Sequence, residues 1–89
     1  MSFISILIPT KDYKDGLIRL LKNLPKNKPY LKIIISDDSV NNNIENFVND
    51  LNYTNLTYIK NSKTLGIAKN WNQLLDNCKS KYFMFLHND

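Results

Sequence analysis

The amino-acid sequence predicts an α/β fold, and two observations predict it. Four short apolar runs rich in β-branched and aromatic residues alternate with three segments whose apolar residues recur every three to four positions. Strands joined by such helical crossovers run parallel, because each crossover returns the chain to the same end of the sheet, and the connections are right-handed. The length, 89 residues, leaves room for one hydrophobic core, so residues 1–89 are expected to form one domain.

Phe3 to Ile8 is the first strand, apolar enough to be buried on both faces and closed by Pro9. Leu17, Ile18, Leu21 and Leu24 then mark one face of a first helix, which Pro25 ends. Leu31 to Ser36 is the second strand, broken by the turn chemistry of Asp37, Asp38 and Ser39. Ile44, Phe47, Val48 and Leu51 follow at i, i+3, i+4 and i+7, with Asn42 or Asn43 as the cap of a second helix. Leu56 to Ile59 is a third, shorter strand, and Lys60 to Thr64 a polar loop. The third helix carries Ile67, Trp71, Leu74, Leu75 and Cys78 on its apolar face, and Tyr82 to Leu86 is the fourth strand.

Composition narrows the function classes. Hydrophobic content of 43% with 22% charged residues is that of a folded globular chain. The net charge of +4 comes from lysines spread over every segment, with no dense basic run interleaved with aromatics, so nucleic acid is not the expected partner. A single cysteine, Cys78, forms no internal disulfide, and no Cys/His cluster has zinc spacing. The opening MSFISILIPTKDY has an apolar run too short for a membrane span and no basic segment before it. The expectation is a cytoplasmic protein, at most placed at the inner face of the membrane in its full-length form. The sequence stops on His87, Asn88 and Asp89 directly after an apolar strand, which is expected of a fragment of a longer gene product.

In an open parallel sheet, ligands bind outside the carboxyl ends of the strands. The residues at those ends are polar and acidic: Pro9 to Asp12, Asp37 to Ser39, Asn61 to Gly66, and His87 to Asp89. Four of these pieces together, ISILIPTKDY, IIISDDS, the Gly-x-Ala-x-Asn of Gly66, Ala68 and Asn70, and YFMFLHND, resemble the amino-terminal portion of family-two glycosyltransferases of the GT-A fold. The likeness covers essentially the whole chain. It implies a Rossmann-like sheet in the order 3-2-1-4 with three crossover helices, the nucleotide-sugar-binding half of a domain whose acceptor-binding half is absent.

The resemblance implies roles residue by residue. Pro9, Thr10 and Asp12 would lie against the base and ribose of a nucleotide diphosphate sugar, a UDP-sugar by expectation. Asp38 rather than Asp37 would accept the base N–H, a task for which a charged acceptor is suited. Lys69 would neutralise diphosphate charge, and Asn88 would hydrogen-bond a ribose hydroxyl. Asp89 would ligate Mg2+ or Mn2+, ions that take hard oxygen ligands. His87 and Asn88 stand where the family usually has carboxylates. The implied reaction is a single displacement by an acceptor hydroxyl, with a general base supplied beyond Asp89, so these 89 residues alone are not expected to catalyse it. The sugar, the saccharide, lipid-linked or protein acceptor and the biosynthetic pathway, polysaccharide assembly among them, stay open.

Plainer readings stand beside these. The Asp37–Asp38 pair is otherwise a turn and helix cap, Trp71 a core residue rather than a sugar platform, Cys78 a small buried hydrophobe, and Gly66 a plain cap. Asn70, unfavourable inside a helix, is either functional or a brace. A dinucleotide-binding oxidoreductase requires Gly-x-Gly-x-x-Gly where this chain has PTKDYKDG. A non-catalytic nucleotide-binding or protein-interaction domain of the same fold is the remaining rival, favoured by Asn88. The fourth strand, with apolar side chains and no strand to follow it, is expected to leave an edge that self-associates.

Overall fold

The computed structural model describes residues 3–87. It contains β1 (Ile4–Thr10), α1 (Lys14–Lys22), β2 (Leu31–Asp37), α2 (Asn43–Asn49), β3 (Leu56–Lys60), α3 (Ile67–Asp76) and β4 (Tyr82–Phe85). The four strands form one sheet in the order β3-β2-β1-β4 with every pair parallel, as the alternation and the resemblance led us to expect.

β1 runs two residues past its expected end and includes Pro9. Backbone groups of even-numbered β1 residues face β2, where Thr10 O accepts from Asp38 N, and those of odd-numbered residues face β4, where Leu7 O accepts from Leu86 N. The absent N–H of Pro9 therefore falls on the β4 side, beyond the last pair, Leu7 with Phe85. No ladder bond is lost, which is why proline is tolerated there.

The pleat divides the core. Ile6 and Ile8 of β1 with Ile33 and Ile35 of β2 pack on Leu17 and Leu21 of α1 and on Ile44 and Val48 of α2. On the opposite face Leu7 and Ile34 meet Leu74 of α3, with Ile59, Cys78 and Phe85 at the margin. The second layer is thin. Of the apolar stripe expected on α3, only Leu74 is fully buried; Ile67 and Leu75 are exposed, and Trp71 and Cys78 are half-buried.

Two helix ends differ from expectation. α1 stops at Lys22, and Leu24 joins through a tighter turn in which its N–H donates to Leu21 O. α2 starts after Asn42, but the side chain that serves its first turn is Asn41, whose Oδ1 accepts from Asn43 N at 3.0 Å. β4 is an edge strand paired only with β1. Tyr82, Phe83 and Met84 are each about half exposed, because among the described residues no element covers their outer side.

Leu74 anchors α3 to the sheet, so Leu74→Ala should cost about 2–5 kcal/mol. Ile67→Ala, on the exposed part of the same helix, should stay within about 0.5 kcal/mol. Urea unfolding midpoints measure both; equal effects would contradict the packing described.

Candidate functional site

Because all strands run the same way, their carboxyl ends place four loops along one edge. Hydrogen bonds tie these loops together. Asp38 N donates to Thr10 O at 2.9 Å, and Asp12 N donates to Ser39 Oγ at 2.7 Å. Asp12 sits at φ 58, a left-handed conformation that aspartate tolerates better than most residues. Lys60 Nζ donates to Ser39 O and to Asn41 O at 2.7 Å each, which holds the loop after β2 against the end of β3.

The pleat separates the two acidic residues that end β2. Asp37 continues the odd-numbered face toward α2 and is wholly buried. Its Oδ1 accepts from Ser39 N at 2.9 Å and its Oδ2 from Tyr58 Oη at 2.6 Å, with Lys60 Nζ at 4.0 Å. Burial, then the hydrogen bond and negative charge of Asp37, then Glu45, push the Tyr58 hydroxyl far above its ordinary value. Tyr58 thus remains a donor, and Asp37 is committed to structure.

Asp38 emerges on the α3 side and is only 3% exposed. Its Oδ1 accepts from Leu65 N at 2.7 Å and Asn61 Nδ2 at 2.9 Å; its Oδ2 accepts from Gly66 N at 3.0 Å. Burial alone pushes this carboxyl up, but the donors Leu65, Asn61 and Gly66, with Lys11 nearby, outweigh it and hold the group below its ordinary value. Asp38 is therefore a carboxylate at neutral pH. Gly66 is the residue before α3 and adopts φ 91, a region in which side-chain-bearing residues are strained.

Beneath Asp38 lies a closed set of neutral side chains. Asn70 Oδ1 accepts from Ser36 Oγ at 2.5 Å and Asn61 Nδ2 at 3.0 Å, and its Nδ2 donates to Ser36 O at 3.2 Å. Gln73 Nε2 donates to Ser36 Oγ at 2.6 Å and Asn61 Oδ1 at 2.5 Å. Among the described residues no buried side-chain polar atom lacks a partner. Asn70 is thus a brace that joins α3 to the end of β2.

Above this floor opens a cleft of about 380 Å³. Pro9, Thr10, Lys11 and Tyr13 line it from the β1 side, Asp38 from β2, Gly66, Ile67, Asn70 and Trp71 from α3, and His87 from beyond β4. Of the residues proposed for nucleotide contact, Pro9, Thr10 and Asp38 meet here. Asp12 and Lys69 are exposed and do not line the cleft. Asn88 and Asp89 lie outside the described residues, and among the described residues no group of three or more His, Cys, Asp and Glu side chains is placed to hold a metal.

Sequence reasoning assigned no contact to Lys11, Tyr13, Ile67 or His87, and it placed Trp71 in the core. The indole stacks on Phe85 with ring centroids 4.7 Å apart and an interplanar angle of 21°, and the His87 ring lies 5.2 Å away. An aromatic residue at helical spacing is consistent with either core or cleft wall, so no sequence signal separated the two. Asn61 was placed at a strand end but given no role, because an Asn-rich chain does not show which amides matter, and Gln73 was missed because a polar residue on a helix reads as solvent-facing.

Similarities to known proteins agree with this geometry. The chain superposes on crystal structures of S. aureus TarS at 21% identity, covering 98% of this chain in each case. The TM-score is 0.72 with 16% of one TarS chain covered, 0.72 with 27% of TarS 1-349, and 0.73 with 27% of TarS 1-349 in complex with UDP. This chain thus spans less than a third of those proteins, and identity at that level shows the shared GT-A fold alone. No curated protein matches it. The model of glycosyl transferase family 2 matches residues 5–89, nearly the entire sequence, and the chain belongs to that family.

Proposed function

We propose that this chain supplies the donor cleft of an enzyme that moves a sugar from a UDP-sugar to an acceptor hydroxyl. The observation that carries the reading is an ionised, nearly buried carboxylate, Asp38, in the floor of a cleft at the carboxyl ends of parallel strands. A carboxylate offers about four acceptor positions; the protein's own donors use both positions on Oδ1 and one on Oδ2. The position left on Oδ2 suits a ring N–H of uracil. Adenine and cytosine offer only amino donors there. The UDP bound in one TarS structure supports the choice of base.

Thr10 and Pro9 would flank the base and ribose, and Asp12 and Asn88 would reach the ribose from the rim. Lys11 and Lys69 would offset phosphate charge, Lys69 from the first turn of α3, where the helix dipole also favours an anion. Asp38 repels phosphate, so the diphosphate would lie toward the end of β4. Asp89, a single hard carboxylate that follows β4 in the sequence, would together with diphosphate oxygens suit Mg2+ or Mn2+, which when bound would stabilise the departing nucleoside diphosphate. The general base that activates the acceptor would come from a segment outside these residues.

Titration with UDP followed by NMR should shift Thr10, Asp38 and, with Mg2+ or Mn2+ present, Asp89. Loss of a charge-assisted hydrogen bond should make Asp38→Ala weaken binding roughly ten- to a hundredfold. Asp89→Ala should reduce only the metal-dependent part. Equal affinity for ADP, or an unaffected Asp38→Ala variant, would remove Asp38 from base recognition.

We further propose self-association through β4. The backbone groups of Phe83 and Phe85 face away from β1, because Tyr82 N and Leu86 N are the ones that point toward it. Half-exposed Tyr82, Phe83 and Met84 flank that open ladder, and only Lys79 and Lys81 guard its start. Light scattering of this chain should show mass rising with concentration; a monomer at all concentrations would contradict it.

A further inference from the structure

We infer that Trp71 is the stacking platform for the donor's nucleobase, a role that rests on the nucleotide reading of the cleft. Ile67 and Trp71 stand at i and i+4 on α3, and both line the cleft. Ile67 is 78% exposed and adds an aliphatic side chain to the cleft wall beside the indole. The indole is backed by Phe85 at 4.7 Å in a stacked arrangement, so its orientation is set by the protein before any ligand arrives. One wall of the cleft is thus a largely apolar surface, with the His87 ring 5.2 Å from the indole, and its floor carries the Asp38 carboxylate.

The ligand group that fits both must be flat, apolar on its faces and polar along one edge. A nucleobase has that shape: its N–H edge meets Asp38 while a ring face lies on Trp71. A pyranose can also lay a C–H face on an indole, and UDP, which carries no transferred sugar, distinguishes the two: only a base platform responds to it. Stacking of this kind tolerates any base, so Trp71 supplies affinity and Asp38 supplies the choice among bases.

Trp71 is the only tryptophan in the chain, so its emission reports on the platform alone. Uridine and UDP should both quench it, while NMR shifts at Thr10 and Asp38 follow binding independently. Trp71→Leu should weaken UDP roughly 5- to 150-fold, and Trp71→Phe should retain most of the affinity. Far-UV circular dichroism of each variant should match the parent. Binding seen by NMR without quenching, quenching by a UDP-sugar but not by UDP, or a Trp71→Leu variant that binds as the parent does would each overturn the platform and leave the nucleotide cleft standing. Absence of UDP binding in the parent chain by both readouts would overturn the cleft reading and the platform together.

Discussion

The carboxylate of Asp38 joins the end of β2 to the backbone that leads into α3, and the geometry of the cleft depends on that bond. It lies at the end of β2 and accepts the backbone N–H groups of Leu65 and Gly66, the two residues before α3. Without it Leu65 N and Gly66 N would lose their acceptor, and the start of α3 would be held to β2 through Asn61, Asn70 and Gln73. Burial of a lone carboxylate is costly; here three donors offset that cost and leave a negative charge fixed in a concave site. The same group is therefore latch and candidate binding determinant.

The apolar contacts of α3 explain why a latch is needed. On the α1 and α2 face, nine aliphatic side chains from two strands and two helices interlock. On the α3 face, Leu7, Ile34 and Leu74 are the fully buried apolar residues. Ser36, Asn61, Asn70 and Gln73 supply what that small core does not, a set of directional bonds with one satisfying geometry. Such a network tolerates little change, because removing one member leaves the others buried and unpaired.

The number and direction of the strands could be read from the sequence because short apolar runs such as ILI and III alternate with segments of helical periodicity, whereas the strand order came with the family resemblance. Asp38 could be chosen over Asp37 only through family resemblance, yet the physical cause is simple: adjacent residues of a strand face opposite sides, and only the even-numbered face of β2 meets α3. Patterning misjudged α3. Its apolar residues were read as one buried stripe, although the stripe is wider than the core it faces, and the surplus of Ile67 and Trp71 lines the cleft. Asn70 was open between function and bracing; its three hydrogen bonds make it a brace that also lines the cleft.

The depressed carboxyl of Asp38 links the latch to pH. A group whose folded value lies below its unfolded one adds stability above the unfolded value and loses it as pH falls through the folded value. The most direct test follows the amide proton shifts of Leu65 and Gly66 by NMR as the solution is acidified. Both should move together with a midpoint below 3.8, the ordinary value for this group. A midpoint at or above that value, or amides that do not respond, would mean that Asp38 does not hold the loop and that the cleft is formed in another way.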